Sequence, residues 1–290
     1  LLEQYEIEAH AFEEDILVVV VSDEHPLLYE EITIHVYAKN ITNISLFIDN
    51  AANSLKNLTG DLQKKYRFEY GYFIAEGEHL VQELLAAAVQ KPALLAAHLY
   101  CTADYQGPKG ALQCHELSAA QMAKVCETKT PQGIFALVPV KALLEHKTAG
   151  GRERVFYLHE VQDPGNLGTI LRTLAWFGAS RCVLSPASVD PFNAKVVRAS
   201  MGAIFHVPIE TEVTVQELRE RYPRMACLDM NGTPLADPAF ADFDAYVFGN
   251  EARGLPEGLQ ASAFSIRGSG AIESLNLATV VSICAYELAR

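Results

Sequence analysis

The chain has 290 residues, half of them hydrophobic, which is enough for two domains or for one domain with a large extension. No uninterrupted apolar run approaches the roughly 20 residues that span a bilayer, and the start is acidic where a secretory signal is basic and then apolar, so a soluble cytoplasmic protein is expected. The formal net charge of −13 argues against a nucleic-acid partner until its distribution is read: residues 1–49 hold 11 acidic side chains against Lys39 alone, while the remainder carries 25 acidic and 22 basic ones and keeps RNA open as a partner.

In chain order, residues 1–49 contain three strand-like runs, ILVVVV at 16–21, ITIHVYA at 32–38 and ISLFI at 44–48, broken by acidic or polar residues. They read as a small β-element in an acidic extension. No methionine precedes Met122, so residue 1 is not expected to be the natural start of translation. From about residue 51 the spacing of Leu55, Leu58 and Leu62 is helical, with Lys64, Lys65 and Arg67 gathered at the helix end. YGYFIAEG at 70–77 predicts a strand ending in a glycine turn. The next segment predicts a helix over 78–89, with an apolar stripe of Leu80, Val81, Leu84, Leu85 and Val89. Further alternation through ALLAAHLYCT, CHELSAAQMAKVCE and GIFALVPV completes an α/β module at 50–140, and the glycine pair and mixed charges of 141–153 mark a linker.

RVFYLHEV at 154–161 is the near-continuous apolar strand of a parallel sheet covered on both faces. A helix over 166–177, a strand RCVLSP, a helix over 193–205, a strand HVPIE, a helix TVQELRERY, strands RMACLDM and DAYVFG, and a last helix LNLATVVSICAYELAR make the second module, 154–290, an α/β fold with a parallel sheet. Cys101, Cys114, Cys126, Cys182, Cys227 and Cys284 are far apart in sequence, with no C-x-x-C pair and no histidine spacing that suggests a metal. They read as reduced, mostly buried thiols.

Three stretches carry candidate chemistry. In PGNLGTILR, Pro164 and Gly165 turn the chain, Asn166 is placed to cap a helix, and Leu167, Ile170, Leu171 and Leu174 face the sheet. Gly168 and Arg172 share another face. A glycine there costs about 1 kcal/mol of helix propensity, which implies close approach by something. A helix start with a surface arginine is the plainer reading; a dinucleotide site is disfavoured because two glycines of G-x-G-x-x-G are missing. In YVFGNEARGLP a buried strand ends in Gly249, Asn250 and Glu251, at the edge where open α/β sheets bind ligands. In SIRGSGAIESLNLA, Ser274, Leu275 and Asn276 open an apolar helix, where Ser274 either caps the helix or serves a site.

In order and spacing, N-x-G-x-x-x-R, GNEARGL and ESLN before a final helix resemble the SpoU branch of the SPOUT class of RNA methyltransferases, and NAKVVRASMGAIFHVPI resembles the sequence between the family's first two motifs. The resemblance spans roughly 50–290. It implies a C-terminal SPOUT domain with a parallel sheet and a deep trefoil knot, preceded by a smaller α/β ribosomal-protein-like RNA-binding domain, and a homodimer formed through the SPOUT domain. It also implies S-adenosyl-L-methionine held by Gly249, Asn250, Ile266 and Leu275 without a metal, and methyl transfer to a ribose 2′-hydroxyl of RNA, ribosomal RNA before tRNA. Arg172 holds the family position proposed to activate that hydroxyl, although a guanidinium stays charged at neutral pH and suits phosphate binding and orientation better. Asn166 would position Arg172 or the ribose, Glu251 the arginine or its loop, and Ser274 and Asn276 the motif loops. Lys64, Lys65, Arg67 and Arg198 are the candidate RNA contacts. Arg267 and Gly268 depart from the family pattern after Ile266, and residues 1–49 match nothing in it. A non-catalytic RNA-binding or ribosome-assembly factor that keeps the knot is the rival from another class.

Overall fold

Parallel strands buried on both faces need side chains that are mostly apolar, and residues 154–158, 180–184 and 245–248 meet that demand apart from Arg154, Ser180 and Arg181. The computed structural model describes residues 7–12, 16–21, 67, 70–144 and 154–290 apart from 179. Strands β7 (Arg154–Leu158), β8 (Ser180–Leu184), β9 (Ile209–Glu210), β10 (Met225–Pro234), β11 (Ala245–Phe248) and β12 (Ser262–Ser265) form a six-stranded sheet in the order β12-β10-β11-β7-β8-β9. Every pairing in it is parallel.

Alternation along the strands sorts side chains to two faces. Phe156, Leu158, Cys182, Leu184, Tyr246 and Phe248 share a core with α3 (Pro164–Phe177), α4 (Ala194–Ser200) and α6 (Leu277–Ala289). Val155, Tyr157, Val183, Met225, Cys227 and Val247 pack with Leu218 of α5 (Val215–Arg221) on the other face. In α3 the residues Leu167, Ile170, Leu171 and Leu174 are buried as their spacing predicts. Each such side chain contributes about 1.5–3 kcal/mol of transfer free energy, so this face fixes the helix on the sheet.

A second, four-stranded sheet has the order β3-β6-β4-β5, from β3 (Tyr72–Glu76), β4 (His98–Thr102), β5 (Gln113–Leu117) and β6 (Ile134–Pro139). Only β4 and β5 run parallel. Helix α1 (Glu78–Ala88) covers it with Leu80, Val81 and Leu84. The predicted stripe ran one residue too far: the helix ends at Ala88, and Val89 is 83% exposed. The two sheets share a core, where the Phe73 ring lies 5.0 Å from that of Phe192.

By its contacts the chain divides into two compact units, residues 1–70 with 119–129, and residues 71–118 with 130–290; both sheets just described belong to the latter. In the former, β1 (Ile7–Phe12) and β2 (Ile16–Val21) pair antiparallel, and α2 spans Ala119–Val125. The strands expected at 32–38 and 44–48, the helix expected from 51, and the linker expected at 141–153 beyond Leu144 lie outside the described residues. Among the described residues no helix is long and apolar enough to cross a membrane.

Candidate active site

Three loops that leave parallel strands at their carboxyl ends carry the candidate side chains. After β7, the chain runs through Asp163 into α3; after β11 comes Gly249-Asn250-Glu251; after β12, residues 266–276 lead into α6. β12 is the edge strand, two places from β11, yet its exit loop returns to the first of these segments.

Asn166 links them. Its Nδ2 donates to Glu251 Oε1 at 2.8 Å, and its Oδ1 accepts from Asn276 Nδ2 at 2.9 Å. The three residues are 85 and 110 positions apart, so this chain of side chains ties the three stretches into one place. Asn276 also caps α6: its Oδ1 accepts from the main-chain N–H groups of Ala278 and Thr279.

Capping differs from the sequence reading at two points. Asp163, not Asn166, caps α3, accepting from Asn166 N at 2.6 Å, because Pro164 occupies the first helical position, where its missing N–H costs nothing. That frees the Asn166 side chain to bridge the motifs. Asn276 rather than Ser274 caps α6, and Ser274 is exposed.

Arg172 stands apart from this cluster. Six residues beyond Asn166, it lies about 9 Å along the helix and about a third of a turn around it. It is exposed and makes no hydrogen bond or ion pair among the described residues. Gly168 does not leave room for a ligand: a Cβ there would meet Ala199 Cβ at 2.4 Å and the main chain of Ala199 at 2.8 Å. The predicted close approach is real, and the neighbour is α4.

Gly249 is likewise closed in by its own loop, since a Cβ would lie 2.5 Å from the main-chain carbon of Gly254. Asn250 is 6% exposed, and its side chain is consumed by the loop. Its Nδ2 donates to the Glu160 carbonyl at 2.7 Å, and its Oδ1 accepts from the N–H groups of Ala252 and Arg253. A cofactor would meet main chain here, not the Asn250 amide.

Ile266 is half-buried against the core, whereas Ile272 and Leu275 are 71% and 43% exposed. From Arg267 to Leu275 no main-chain group bonds to another main-chain group among the described residues. Arg198 is half-buried in the last turn of α4. Arg67 is 8% exposed, so its guanidinium is not offered to a polyanion as the sequence reading expects; Lys64 and Lys65 lie outside the described residues.

Sequence reasoning overlooks Glu160 and Arg253. Glu160 Oε2 lies 2.9 Å from Arg253 Nη2, and Glu160 Oε1 lies 3.9 Å from His159 Nε2. Burial pushes the His159 ring below its ordinary pKa, Glu160 works against that shift, and Arg253 adds to it. No motif marks Glu160 in the sequence. Asp163 is legible, as an Asp-Pro pair before a helical run.

The description of the SpoU rRNA methylase family matches residues 153–286, and that of the MRM3-like substrate binding domain matches residues 52–136. The 23S rRNA (guanosine(2553)-2′-O)-methyltransferase RlmP of Bacillus subtilis is 33% identical over 233 residues, 78% of this chain and 91% of its own length. The chain belongs to the SpoU family. Among solved structures, a TrmH-family protein from Porphyromonas gingivalis is 30% identical with a TM-score of 0.63, covering 77% of this chain and 92% of its own. The AdoMet-bound rRNA methyltransferase from Sinorhizobium meliloti is 26% identical with a TM-score of 0.64, covering 86% of this chain and 95% of its own.

Proposed function

We propose that this chain transfers the methyl group of S-adenosylmethionine to a ribose 2′-hydroxyl of ribosomal RNA. The observation that carries the reading is the Glu251, Asn166 and Asn276 chain, which gathers three distant stretches at the carboxyl edge of a parallel sheet in a SpoU-family protein. Relatives named for methyl transfer to ribosomal RNA, and one solved with AdoMet, support it.

The residues present suit the cofactor. Segment 267–275 offers main-chain donors and acceptors without main-chain partners among the described residues, beside the exposed aliphatic groups of Ile272 and Leu275. Polar main chain next to apolar cover is what a nucleoside needs. Gly249, Asn250, Ile266 and Leu275 would hold it, the first two through main chain. Bound there, S-adenosylmethionine supplies a methyl group already activated on its sulfonium.

The protein must supply an oriented nucleophile. A hydroxyl attacks weakly until its proton is polarised or removed. Arg172, charged and without a partner among the described residues, binds the phosphate beside the target ribose and so holds the hydroxyl in line. Asn166 gives one Nδ2 hydrogen to Glu251 and accepts from Asn276 at Oδ1, so its role in this reading is to fix the motifs. Glu251 Oε1 takes the Asn166 bond, which leaves Oε2 as the acceptor this chain offers to the released proton. Ser274 orients the loop before α6, and Arg198 serves the RNA backbone.

The same reading divides the chain into an acidic extension at 1–49, an RNA-binding domain at 50–140 with Lys64 and Lys65 as its RNA contacts, a linker at 141–153, and a knotted methyltransferase domain at 154–290. It makes the protein a cytoplasmic homodimer. Trp176 at the end of α3 and Tyr286 on α6, 84% and 57% exposed, support a dimer face there. The test compares wild type with Arg172→Ala, using calorimetry for S-adenosylmethionine and mapping of 2′-O-methyl sites in ribosomal RNA. The variant is expected to bind the cofactor unchanged and to lose about 100-fold or more in turnover. Unchanged turnover removes Arg172 from the mechanism. A wild type that binds RNA but neither binds the cofactor nor methylates any RNA supports the assembly-factor reading instead, and methylation confined to tRNA moves the substrate.

A further inference from the structure

Glu160 sits where three adjacent strand ends meet. Its N–H donates to Ser185 Oγ, just past β8, at 2.7 Å, and its carbonyl accepts from Asn250 Nδ2, just past β11, at 2.7 Å. Gln162 Nε2 also donates to that carbonyl, at 3.3 Å. The residue itself follows β7 and has φ 48, in the left-handed region where a non-glycine residue is costly and calls for compensation. Glycine adopts that conformation freely and would keep all three main-chain bonds. What glycine lacks is the carboxylate.

That carboxylate reaches Arg253, and Arg253 belongs to a loop already knitted by Asn250. Asn250 and Gly254 exchange two main-chain hydrogen bonds, at 2.8 and 2.9 Å. The 249–254 segment is thus held by Glu160 twice, through its main chain at Asn250 and through its side chain at Arg253. Glu251, which accepts from Asn166, lies between those two holds.

We propose that Glu160 is a positioning residue for methyl transfer, its carboxylate fixing Arg253 and so setting the loop that presents Glu251 to Asn166. The proposal rests on the methyltransferase reading above. Arg253 is 68% exposed at its side chain, so the pair is screened by solvent and adds little to stability; its effect lies in the orientation of the loop. Activity and stability should therefore separate.

The experiment compares Glu160→Gly, Glu160→Gln, Arg253→Ala and a control, Glu212→Gly, with the wild-type chain. Glu212 is a second glutamate with positive φ, at 61, exposed where Glu160 is half-buried, remote from the cluster in sequence and outside its hydrogen bonds. Glu160→Gly is expected to melt no lower than wild type, because the backbone strain is gone. Its kcat should fall about tenfold or more, with KM for RNA little changed. Glu160→Gln retains an oxygen for Arg253 and should recover most of the rate; Arg253→Ala should resemble Glu160→Gly, and Glu212→Gly should match wild type. Hydrogen exchange in the ligand-free protein gives a reading independent of activity: the amides of Ala252, Arg253 and Gly254 should exchange faster in Glu160→Gly. Wild-type kcat or unchanged loop exchange in Glu160→Gly overturns the proposal, as does a rate loss that only follows a lower melting temperature. A wild type without methyl transfer sinks the functional reading, and the exchange data then decide alone whether Glu160 orders the loop.

Discussion

Replacing Asn166 by aspartate probes the chain of side chains that joins the three motifs. Aspartate keeps an acceptor for Asn276 Nδ2 but puts a carboxylate oxygen where Nδ2 now donates to Glu251 Oε1 at 2.8 Å. The lost hydrogen bond is worth about 0.5–1.5 kcal/mol, and two unit charges about 4 Å apart in water repel by about 1 kcal/mol. The water value is the right one, since Glu251 is exposed and Asn166 only half-buried. The sum, about 2 kcal/mol at pH 7, corresponds to a drop in melting temperature of about 3 °C for a chain of 290 residues. The pH dependence follows from the repulsion. One carboxyl of the new pair has a folded-state pKa above its unfolded value, so protonation favours the folded form, and the deficit is full above that raised pKa and shrinks as pH falls through it. Asn166→Ala loses the same donor without adding charge, so its deficit should be nearly constant with pH. Calorimetric melting of both variants at pH 4 and pH 7.5 measures the difference. Equal melting of Asn166→Asp and wild type at pH 7.5, or a gap that does not narrow at pH 4, refutes the reasoning.

Gly168→Ala should lower stability by about 2 kcal/mol, because overpacking against the Ala199 Cβ and main chain, at the upper end of the usual range of about 1–3 kcal/mol, outweighs a gain of about 1 kcal/mol in helix propensity; chemical denaturation checks it, and Ala199→Gly in the same chain should restore part of the loss. Cys114 Sγ lies 3.0 Å from Cys101 Sγ, and burial, followed by that hydrogen bond, pushes the Cys114 thiol up to about 11. Although Cys114 is exposed, its alkylation by iodoacetamide should be slow at pH 7 and rise about tenfold per pH unit, since only the thiolate reacts; fast labelling at pH 7 contradicts this. If the proposed homodimer uses this face, wild type sediments as a dimer and Trp176→Glu as a monomer in analytical ultracentrifugation, without a lower melting temperature of the monomer, because the ring is 84% exposed and contributes little to the protomer's own core.

The legible parts of the fold are those in which burial dictates residue type over a whole element. β7, β8 and β11 are apolar apart from Arg154, Ser180 and Arg181 at their starts, because both faces are covered, and α3 shows its sheet face at Leu167, Ile170, Leu171 and Leu174. β12 is not legible: its four residues, Ser-Ala-Phe-Ser, form an edge strand with Phe264 as the one buried side chain. The helix expected over 193–205 stops at Ser200 because Met201 takes a left-handed conformation, with φ 49, which residue type does not reveal. At the site, the polar residues can be named in advance because their types and spacing recur together. Their division of labour cannot, because it depends on which atoms the neighbouring loops have already taken. Asn250 is used up by Glu160, Ala252 and Arg253, while Asn166 is released by the Asp163 cap.

Both glycines of the candidate site serve the fold itself. Gly168 lets α3 approach α4, and Gly249 lets the loop after β11 close on Gly254. The spacing of Asn166, Gly168 and Arg172 therefore combines two requirements on one helix: Gly168 faces inward and sets the distance to α4, while Asn166 bridges the motifs and Arg172 stays exposed, as the substrate-binding role proposed for it requires. A bulky residue at Gly249 that abolishes cofactor binding would then report on loop closure, not on contact with the cofactor. Leu275 is the better probe of contact, since it is 43% exposed and precedes the Asn276 cap without contributing to it. Leu275→Asp should weaken S-adenosylmethionine binding about tenfold or more in calorimetry, the scale of one apolar side chain's burial, while melting stays within about 2 °C of wild type. Unchanged affinity in that variant removes the loop before α6 from the cofactor site.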